Sequence, residues 1–241
     1  MKILFITATR IGDAVISTGI LRHLVEKNQG AAITIACGPH AASLFAAVPG
    51  LKDVIVLKKK VAGIHWLYLW AKVVNTRWDL VVDLRRSLIP YLVSADSRLR
   101  LGPDDRKLHR VEFLSSILTL DPPSAPRIWT STIHQDRARD LVAQGASIIA
   151  VAPVAARAEK TWPIRRFVEL INCLIARDGM FPGAHIIAVG AEEDRNQLAQ
   201  FTSEIDGSYT NLIGCDDLLT VYAVLSHANL VITNDSGLGH L

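Results

Sequence analysis

Three short segments concentrate groups that could move protons or hold phosphate. Thr7-Ala-Thr-Arg10-Ile-Gly12-Asp13 sets a carboxylate beside a glycine directly after an apolar run. At the top of a first strand, facing a cleft between domains, such a carboxylate is suited to act as general base toward a hydroxyl. Asp13 also fits a helix N-cap, accepting amide hydrogens at the positive end of the helix dipole, with Gly12 as a turn residue of positive φ. One residue can serve both roles. Residues 153–163, Pro-Val-Ala-Ala-Arg157-Ala-Glu-Lys160-Thr161-Trp162-Pro163, bring two cations to the start of a helix, with Pro163 in its first turn and Trp162 packed behind it. Amides and an ammonium there would hold a diphosphate; a solvated loop is the plainer alternative. Asn234-Asp235-Ser236-Gly237-Leu-Gly239-His240 supplies a carboxylate, a hydroxyl, two glycines and an imidazole, a density that folding alone rarely requires.

A fourth segment, Gly190-Ala-Glu-Glu193-Asp194-Arg195, follows another apolar run. Acidic residues in a first helical turn are ordinary dipole partners, and they could equally accept from ribose hydroxyls. Two other chemistries fail on spacing. Asn234 stands where G-x-S-x-G has its first glycine, so Ser236 is no hydrolase nucleophile, and Gly237-Leu-Gly239 lacks the third glycine of a nicotinamide fingerprint. None of the eight histidines falls in an HxxxH or HExxH pair, so no dedicated metal site is expected.

Strands must carry these loops. Apolar runs at 3–6, 33–36, 54–57 and 80–84 alternate with helical periodicity over 14–27, after His40, over a Trp-rich stretch 65–74, and near 87–93 and 111–118. Fully apolar strands alternating with helices predict a parallel sheet covered on both faces. Asp121-Pro-Pro-Ser-Ala-Pro126 interrupts the pattern, and after a helix at about 135–143 a second series begins. Its strands are predicted at 148–152, 185–189, 212–213 and 230–233, and its helices at 164–176, 192–201 and 218–225. The expectation is an α/β protein of two Rossmann-like, doubly wound domains: 1–144, with a linker from about 120, and 145–241. Four strands fall short of a complete doubly wound domain, so the second is expected to be truncated at its C-terminus.

Half of the residues are apolar, 20% are charged and the net charge is +3, which fits a globular protein and excludes a general nucleic-acid binder. Positive charge gathers in the first half, at Lys58-Lys59-Lys60, Arg85-Arg86, and Arg98, Arg100, Arg106, Lys107 and Arg110. Solvated loops explain it, and so does an anionic substrate or membrane surface meeting that half. Cys37, Cys173 and Cys215 lack CxxC spacing and are expected to be reduced and buried, as in a cytoplasmic protein. Arg10 and Asp13 interrupt the N-terminal apolar run too early for a signal peptide. No apolar run reaches the ~20 residues of a membrane span.

In order along the chain, Arg10-Ile-Gly-Asp13, Trp78-Asp-Leu-Val-Val-Asp-Leu-Arg85, Lys160-Thr-Trp-Pro163, Asn211-Leu-Ile-Gly214 with Leu218-Leu219, and Asn234-Asp-Ser-Gly-Leu-Gly-His240 resemble glycosyltransferase family 9. These are the ADP-heptose:lipopolysaccharide heptosyltransferases. The resemblance implies a GT-B architecture, the acceptor bound by the first domain and the nucleotide-sugar donor by the second, and inverting transfer without metal or cofactor. Asp13 would remove the proton of the acceptor hydroxyl as it attacks the anomeric carbon, and Lys160 would offset charge on the departing ADP. Amides around Ser236 and Gly237 would hold the diphosphate and Asp235 the sugar hydroxyls. Arg157, Thr161, Glu193, Asp194, Gly239 and His240 complete the implied donor site.

Acceptor contacts are implied at Arg10, Gly12, Arg85 and Arg86, because an acceptor of the lipid A and Kdo kind is anionic and membrane-borne. The implied protein is cytoplasmic, touches the inner membrane peripherally and binds no nucleic acid. The chain departs from the family pattern at Gly19, where a proline is common, and at Pro153-Val154 and Ala155-Ala156, where a Pro-Gly start and hydroxyl-bearing residues are common. Family members also continue past the histidine that matches His240. Two rivals remain: a nucleotide-sugar 2-epimerase on the same frame, against which the Gly-Asp loop speaks, and a non-catalytic relative that keeps the fold.

Overall fold

Runs too short and too apolar for surface helices form strands, and the central ones are buried on both faces. The computed structural model describes residues 1–59, 63–103, 107–142, 145–155, 157–214 and 217–241, which form two compact units, Met1–Trp129 and Thr130–Leu241. The first unit runs β1 (Lys2–Ile6), α1 (Ile11–Lys27), β2 (Ala32–Cys37), β3 (Leu51–Val56), α2 (Ile64–Val73), β4 (Trp78–Asp83), α3 (Ile89–Leu92), β5 (Ala95–Arg100) and α4 (Arg110–Ser115). Its sheet is parallel, in the order β3-β2-β1-β4-β5. Ile3, Leu4, Phe5 and Ile6 of the central β1 are fully buried, and Leu4 lies in register with Thr34 on one side and Val81 on the other. The chain winds from β1 toward β3, then crosses to β4 on the opposite side. That reversal creates a crevice at the carboxyl ends of β1 and β4.

In the first unit two elements differ from expectation. β5 was not predicted, because an edge strand buries little and its residues Asp96, Ser97, Arg98 and Arg100 are exposed. The helix expected after His40 is instead two single 3-10 turns, Pro39–Ala41 and Ser43–Phe45. Gly50 ends that excursion at φ +74, with its Cα so close to the Ala31 carbonyl that a Cβ would lie 2.3 Å from the oxygen. Only glycine tolerates both conditions.

Residues 121–127 form a strap along α1. Ser124 Oγ donates to the Gly19 carbonyl at 2.8 Å, and the Arg127 amide donates to Thr18 Oγ1 at 2.9 Å. A Cβ on Gly19 would sit 2.3 Å from the Ser124 carbonyl oxygen, so the departure from proline at this position coincides with a backbone contact that admits no side chain.

The second unit runs α5 (Thr132–Leu141), β6 (Ile148–Ala152), α6 (Ile164–Ile175), β7 (His185–Ala188), α7 (Arg195–Ser203), β8 (Tyr209–Asn211), α8 (Leu218–Leu225) and β9 (Leu230–Thr233). Its sheet is parallel, in the order β8-β7-β6-β9. Phe167, Ile171, Leu198 and Phe201 cover one face, against Ile149, Val151 and Ile186. Ala138, Leu212, Val221 and Val224 cover the other, against Ile148, Ala150 and Ile187. Phe167, Ile171 and Ile175, spaced by four, put one stripe of α6 into the core. α5 packs on α8 and therefore belongs to this unit; residues 143 and 144, beside the expected division, lie outside the described residues.

Leu212 and Ile213, expected as a strand, are buried just beyond β8, and a 3-10 turn at Glu192–Asp194 precedes α7. Cys37 is buried, and burial pushes its thiol up to about 12, but Cys173 is exposed on the outer side of α6, against expectation. Cys215, Lys60 and Arg106 lie outside the described residues. Among the described residues no helix is long and apolar enough to cross a membrane.

Candidate functional site

In the first unit, the loops after β1 and β4 meet at the crossover between those strands. They enclose a cavity of about 330 Å³ whose lining includes Thr7, Arg10, Asp13, Arg85, Arg110 and Leu114. α1 starts at Ile11 with Arg10 as its N-cap, so Asp13 lies in the first helical turn rather than at the cap. Gly12 is likewise helical and is not among the glycines of positive φ, which corrects the expected left-handed turn. Free amides of that first turn favour a carboxylate at this position. Asp13 Oδ1 lies 3.9 Å from Arg110 Nε, a long contact between half-exposed side chains that leaves the carboxylate open to the cavity. Beneath it, Thr7 Oγ1 donates to Ser17 Oγ at 2.6 Å and Ser17 Oγ to the Ala14 carbonyl at 2.7 Å, a buried chain that ties the loop to the helix.

Asp83, the last residue of β4, is fully buried and shapes the opposite wall. Its Oδ1 accepts the Arg85 amide at 2.7 Å, while its Oδ2 accepts the Ser87 amide at 2.6 Å and the Ser87 hydroxyl at 2.7 Å. The resulting turn stacks the Arg85 guanidinium over the Trp66 ring at 4.8 Å. Burial lowers the Arg85 pKa from its usual value, and the Asp83 charge opposes that shift. Arg85 Nη1 is buried and has no acceptor among the described residues, and Arg85 lines the cavity, where its guanidinium is the kind of group that pairs with an anion. Arg86, at φ 59, lines a separate apolar depression instead. Arg98 and Arg100, part of the basic run, spend their guanidiniums on backbone carbonyls at 90, 93, 87 and 86.

The second unit repeats the device. β6 and β9 are neighbours whose following loops carry Lys160 and Asp235, and the two side chains form an ion pair. The Lys160 ammonium, by hydrogen bond and by charge, holds the Asp235 carboxyl below its usual range. Asn234, buried, accepts the Trp162 amide on Oδ1 at 2.9 Å, while its Nδ2 has no partner among the described residues. Trp162 packs edge-on to Phe167 at 5.0 Å, and Thr161 Oγ1 donates to the Arg157 carbonyl at 3.1 Å. Ser236 Oγ lies 3.4 Å from Thr233 Oγ1, and Gly239 and His240 belong to a closing 3-10 turn.

In the loop after β7, Asp194 accepts the Ala191 amide at 3.0 Å, Glu192 pairs with Arg195, and Glu193 is exposed. Arg157 approaches Glu159 at 3.8 Å. Among the described residues no three His, Cys, Asp or Glu side chains gather as a metal site.

Sequence reasoning singled out Asp13, Lys160 and Asp235 as residues following apolar runs and Arg85 as part of a basic pair, and the structure places Asp13 beside Arg85 and pairs Lys160 with Asp235. That reasoning missed Asp83 and Asn234 as organisers, though a carboxylate ending an apolar strand just before Arg85-Arg86 was a usable signal. Arg110 stood out only as one member of a basic run; its approach to Asp13 spans 97 residues and exists only in the fold.

The model of glycosyltransferase family 9 (heptosyltransferase) matches residues 107–241, more than half of the chain. The lipopolysaccharide core heptosyltransferase OpsX of Haemophilus influenzae is 20% identical over 255 residues, an alignment that covers 96% of this chain and 72% of that protein. The family 9 glycosyl transferase of Veillonella parvula superposes with a TM-score of 0.78 at 18% identity, over 99% of this chain and 76% of its own. E. coli heptosyltransferase WaaC with ADP-2-deoxy-2-fluoro heptose gives 0.69 at 18% identity, over 100% and 84%. At such identities the structural likeness establishes the fold, GT-B.

Proposed function

This chain belongs to glycosyltransferase family 9, and on that premise we propose that it moves a heptose or related sugar from an ADP-sugar to a lipopolysaccharide-core acceptor, with inversion and without a metal. One observation carries the reading. In each unit, the reactive groups that the sequence scatters converge where the sheet order reverses or ends its first crossover: Asp13 with Arg85 and Arg110, and Lys160 with Asp235 and Asn234.

The acceptor occupies the Asp13 cavity, with an anionic group on Arg85 and further charge neutralised by Arg10. Gly12, in the helical turn beside Asp13, leaves that side free of a side chain. The acceptor hydroxyl gives its proton to the Asp13 carboxylate as its oxygen bonds to the anomeric carbon; the bond from that carbon to the diphosphate oxygen breaks, and the electron pair leaves with ADP. On the donor side, Lys160 exchanges Asp235 for the diphosphate, whose remaining oxygens meet the amides of Ser236 and Gly237. Asp235, released, accepts from sugar hydroxyls. Glu193, exposed and next to the capping Asp194, serves the ribose, while Arg157, Thr161, Gly239 and His240 border the diphosphate. A lipid-borne acceptor places the work on the cytoplasmic face of the inner membrane.

Calorimetric titration and a transfer assay test this. The protein should bind ADP without added metal, and Asp13→Ala should keep that binding while losing roughly 10²–10⁴-fold in turnover, the usual contribution of general base catalysis. Undiminished turnover of the variant removes Asp13 from the base role. A preference for UDP over ADP rejects the donor class.

A further inference from the structure

The apolar depression beside Arg86 takes no part in this chemistry. It measures about 620 Å³ and lies between α2 and the segment that follows β4, lined by Trp66, Leu67, Trp70, Leu88, Ile89 and Leu92. Its surroundings present large apolar side chains to solvent: Leu67 is 62% exposed, Leu88 67% and Tyr91 64%, with Ile64, Tyr68 and Leu92 near half. Single exposed leucines are ordinary, but a cluster around a groove marks an interaction surface.

The surface is built rather than frayed. Arg98 donates from Nε to the Pro90 carbonyl at 2.7 Å and from Nη2 to the Val93 carbonyl at 3.2 Å, while Arg100 reaches the Ser87 and Arg86 carbonyls at 3.0 and 2.6 Å. Two arginines of β5 thereby hold Leu88, Tyr91 and Leu92 outward.

Charge selects the occupant. Lys58, Lys59, Lys72 and Arg86 are exposed on the same elements or the loops next to them, and neither 58–77 nor 84–95 contains an acidic residue. A second copy paired through this face would set cation against cation across a two-fold axis. An anionic bilayer meets every part: leucine and isoleucine enter the acyl boundary, tyrosine and tryptophan sit at headgroup depth, and lysine and arginine meet phosphate.

We propose that this face of the first unit docks on an anionic phospholipid bilayer. The inference rests on the transfer reading for its purpose, since Trp66 lines the groove and its ring carries Arg85 of the Asp13 cavity. Docking therefore holds that cavity at the level of lipid headgroups.

Co-sedimentation of the 241-residue protein with vesicles tests it, using equal parts phosphatidylglycerol and phosphatidylcholine against phosphatidylcholine alone. The protein should pellet with the mixed vesicles. L67E/L88E should weaken that binding by about tenfold or more, as expected when two leucines no longer enter the acyl boundary. Lys58→Gln with Lys59→Gln should weaken it several-fold on mixed vesicles, a difference that added salt erases. All substituted residues are exposed, so the thermal midpoint should hold, and ADP titration should match the unsubstituted protein. Absent or undiminished vesicle binding with ADP binding intact overturns docking and leaves the transfer reading standing; the reverse pattern does the opposite. A concentration-dependent dimer that L67E/L88E abolishes also overturns it, because a second copy would then be the occupant.

Discussion

Asp83→Ala should collapse the wall that presents Arg85. The carboxylate is fully buried and accepts from the Arg85 amide, the Ser87 amide and the Ser87 hydroxyl at 2.6 to 2.7 Å. Hydrogen bonds to a charged group contribute about 1.5–3 kcal/mol each, and burying the carboxylate carries a cost that alanine does not. Three bonds at the low end, less that relief, leave a loss of about 3 kcal/mol. Typical domain stabilities are about 5–15 kcal/mol, so the variant should fold yet unfold at clearly lower denaturant. The damage should reach α3, because Ser87 Oγ also accepts the Ile89 amide at 3.2 Å.

With the turn released, Arg85 loses its place on Trp66, and acceptor KM should rise while ADP affinity, which the proposed function assigns to the second unit, should hold. Guanidinium unfolding followed by tryptophan fluorescence, ADP calorimetry and acceptor kinetics read the three effects separately. Asp83→Asn, which keeps an acceptor oxygen without the charge, should fall between. An unfolding midpoint equal to the parent's, or equal losses in ADP affinity and acceptor KM, would refute this account of the wall.

Gly19→Ala should cost about 1–3 kcal/mol and lower the thermal midpoint by several degrees, since its Cβ meets the Ser124 backbone; an unchanged midpoint would mean that the strap moves aside freely. Lys160→Ala should weaken ADP by about tenfold or more while leaving stability almost unchanged, because both members of its ion pair are largely exposed; calorimetry and a melting curve decide. Asp217, the N-cap of α8, should make the second unit acid-sensitive. Burial raises its pKa, but hydrogen bonds from Thr220 and the Leu219 amide, with the charge of His134, hold it below the usual value. A depressed folded pKa gives stability that is present above the unfolded value near ~4 and lost as pH falls through the folded one. Acid unfolding should therefore steepen below about pH 4 and flatten in Asp217→Asn; an identical acid slope in the variant would exclude this group as the cause.

The strands most legible in the sequence are the central ones, buried on both faces, although the apolar run of the less buried β9 was legible too. β1 and β6 are unbroken apolar runs because helices cover both sides of each sheet, and α6 is legible because its apolar residues recur at helical spacing. β5 and β8 were missed or displaced for the converse reason: an edge strand of polar, exposed residues carries no alternation, and its pairing is decided by a neighbour far away in sequence. The candidate site divides in the same way. Asp13, in the first turn of α1, and Lys160 and Asp235, in the segments after β6 and β9, have positions that follow from local strand ends, whereas the Lys160–Asp235 pair, the Asn234 bond to Trp162 and the nearness of Arg110 to Asp13 depend on strand order, which no local window contains. The apolar groove was invisible because α2 resembles any buried helix until the structure leaves Leu67 and Tyr68 uncovered.

Strand order also governs how the chain can emerge from a ribosome. β1 precedes the other strands of its sheet yet lies in the middle of it, so one edge is satisfied within about thirty residues by β2, while the other waits for β4 at Trp78–Asp83. β6 faces the same delay, since its partner β9 begins only at Leu230. For most of its synthesis each unit is a half-sheet with an open, apolar central edge, the geometry most prone to pairing with another nascent chain. Translation speed and chaperone occupancy over residues 7–77 and 153–229 should therefore govern yield more strongly than the stability of the finished protein.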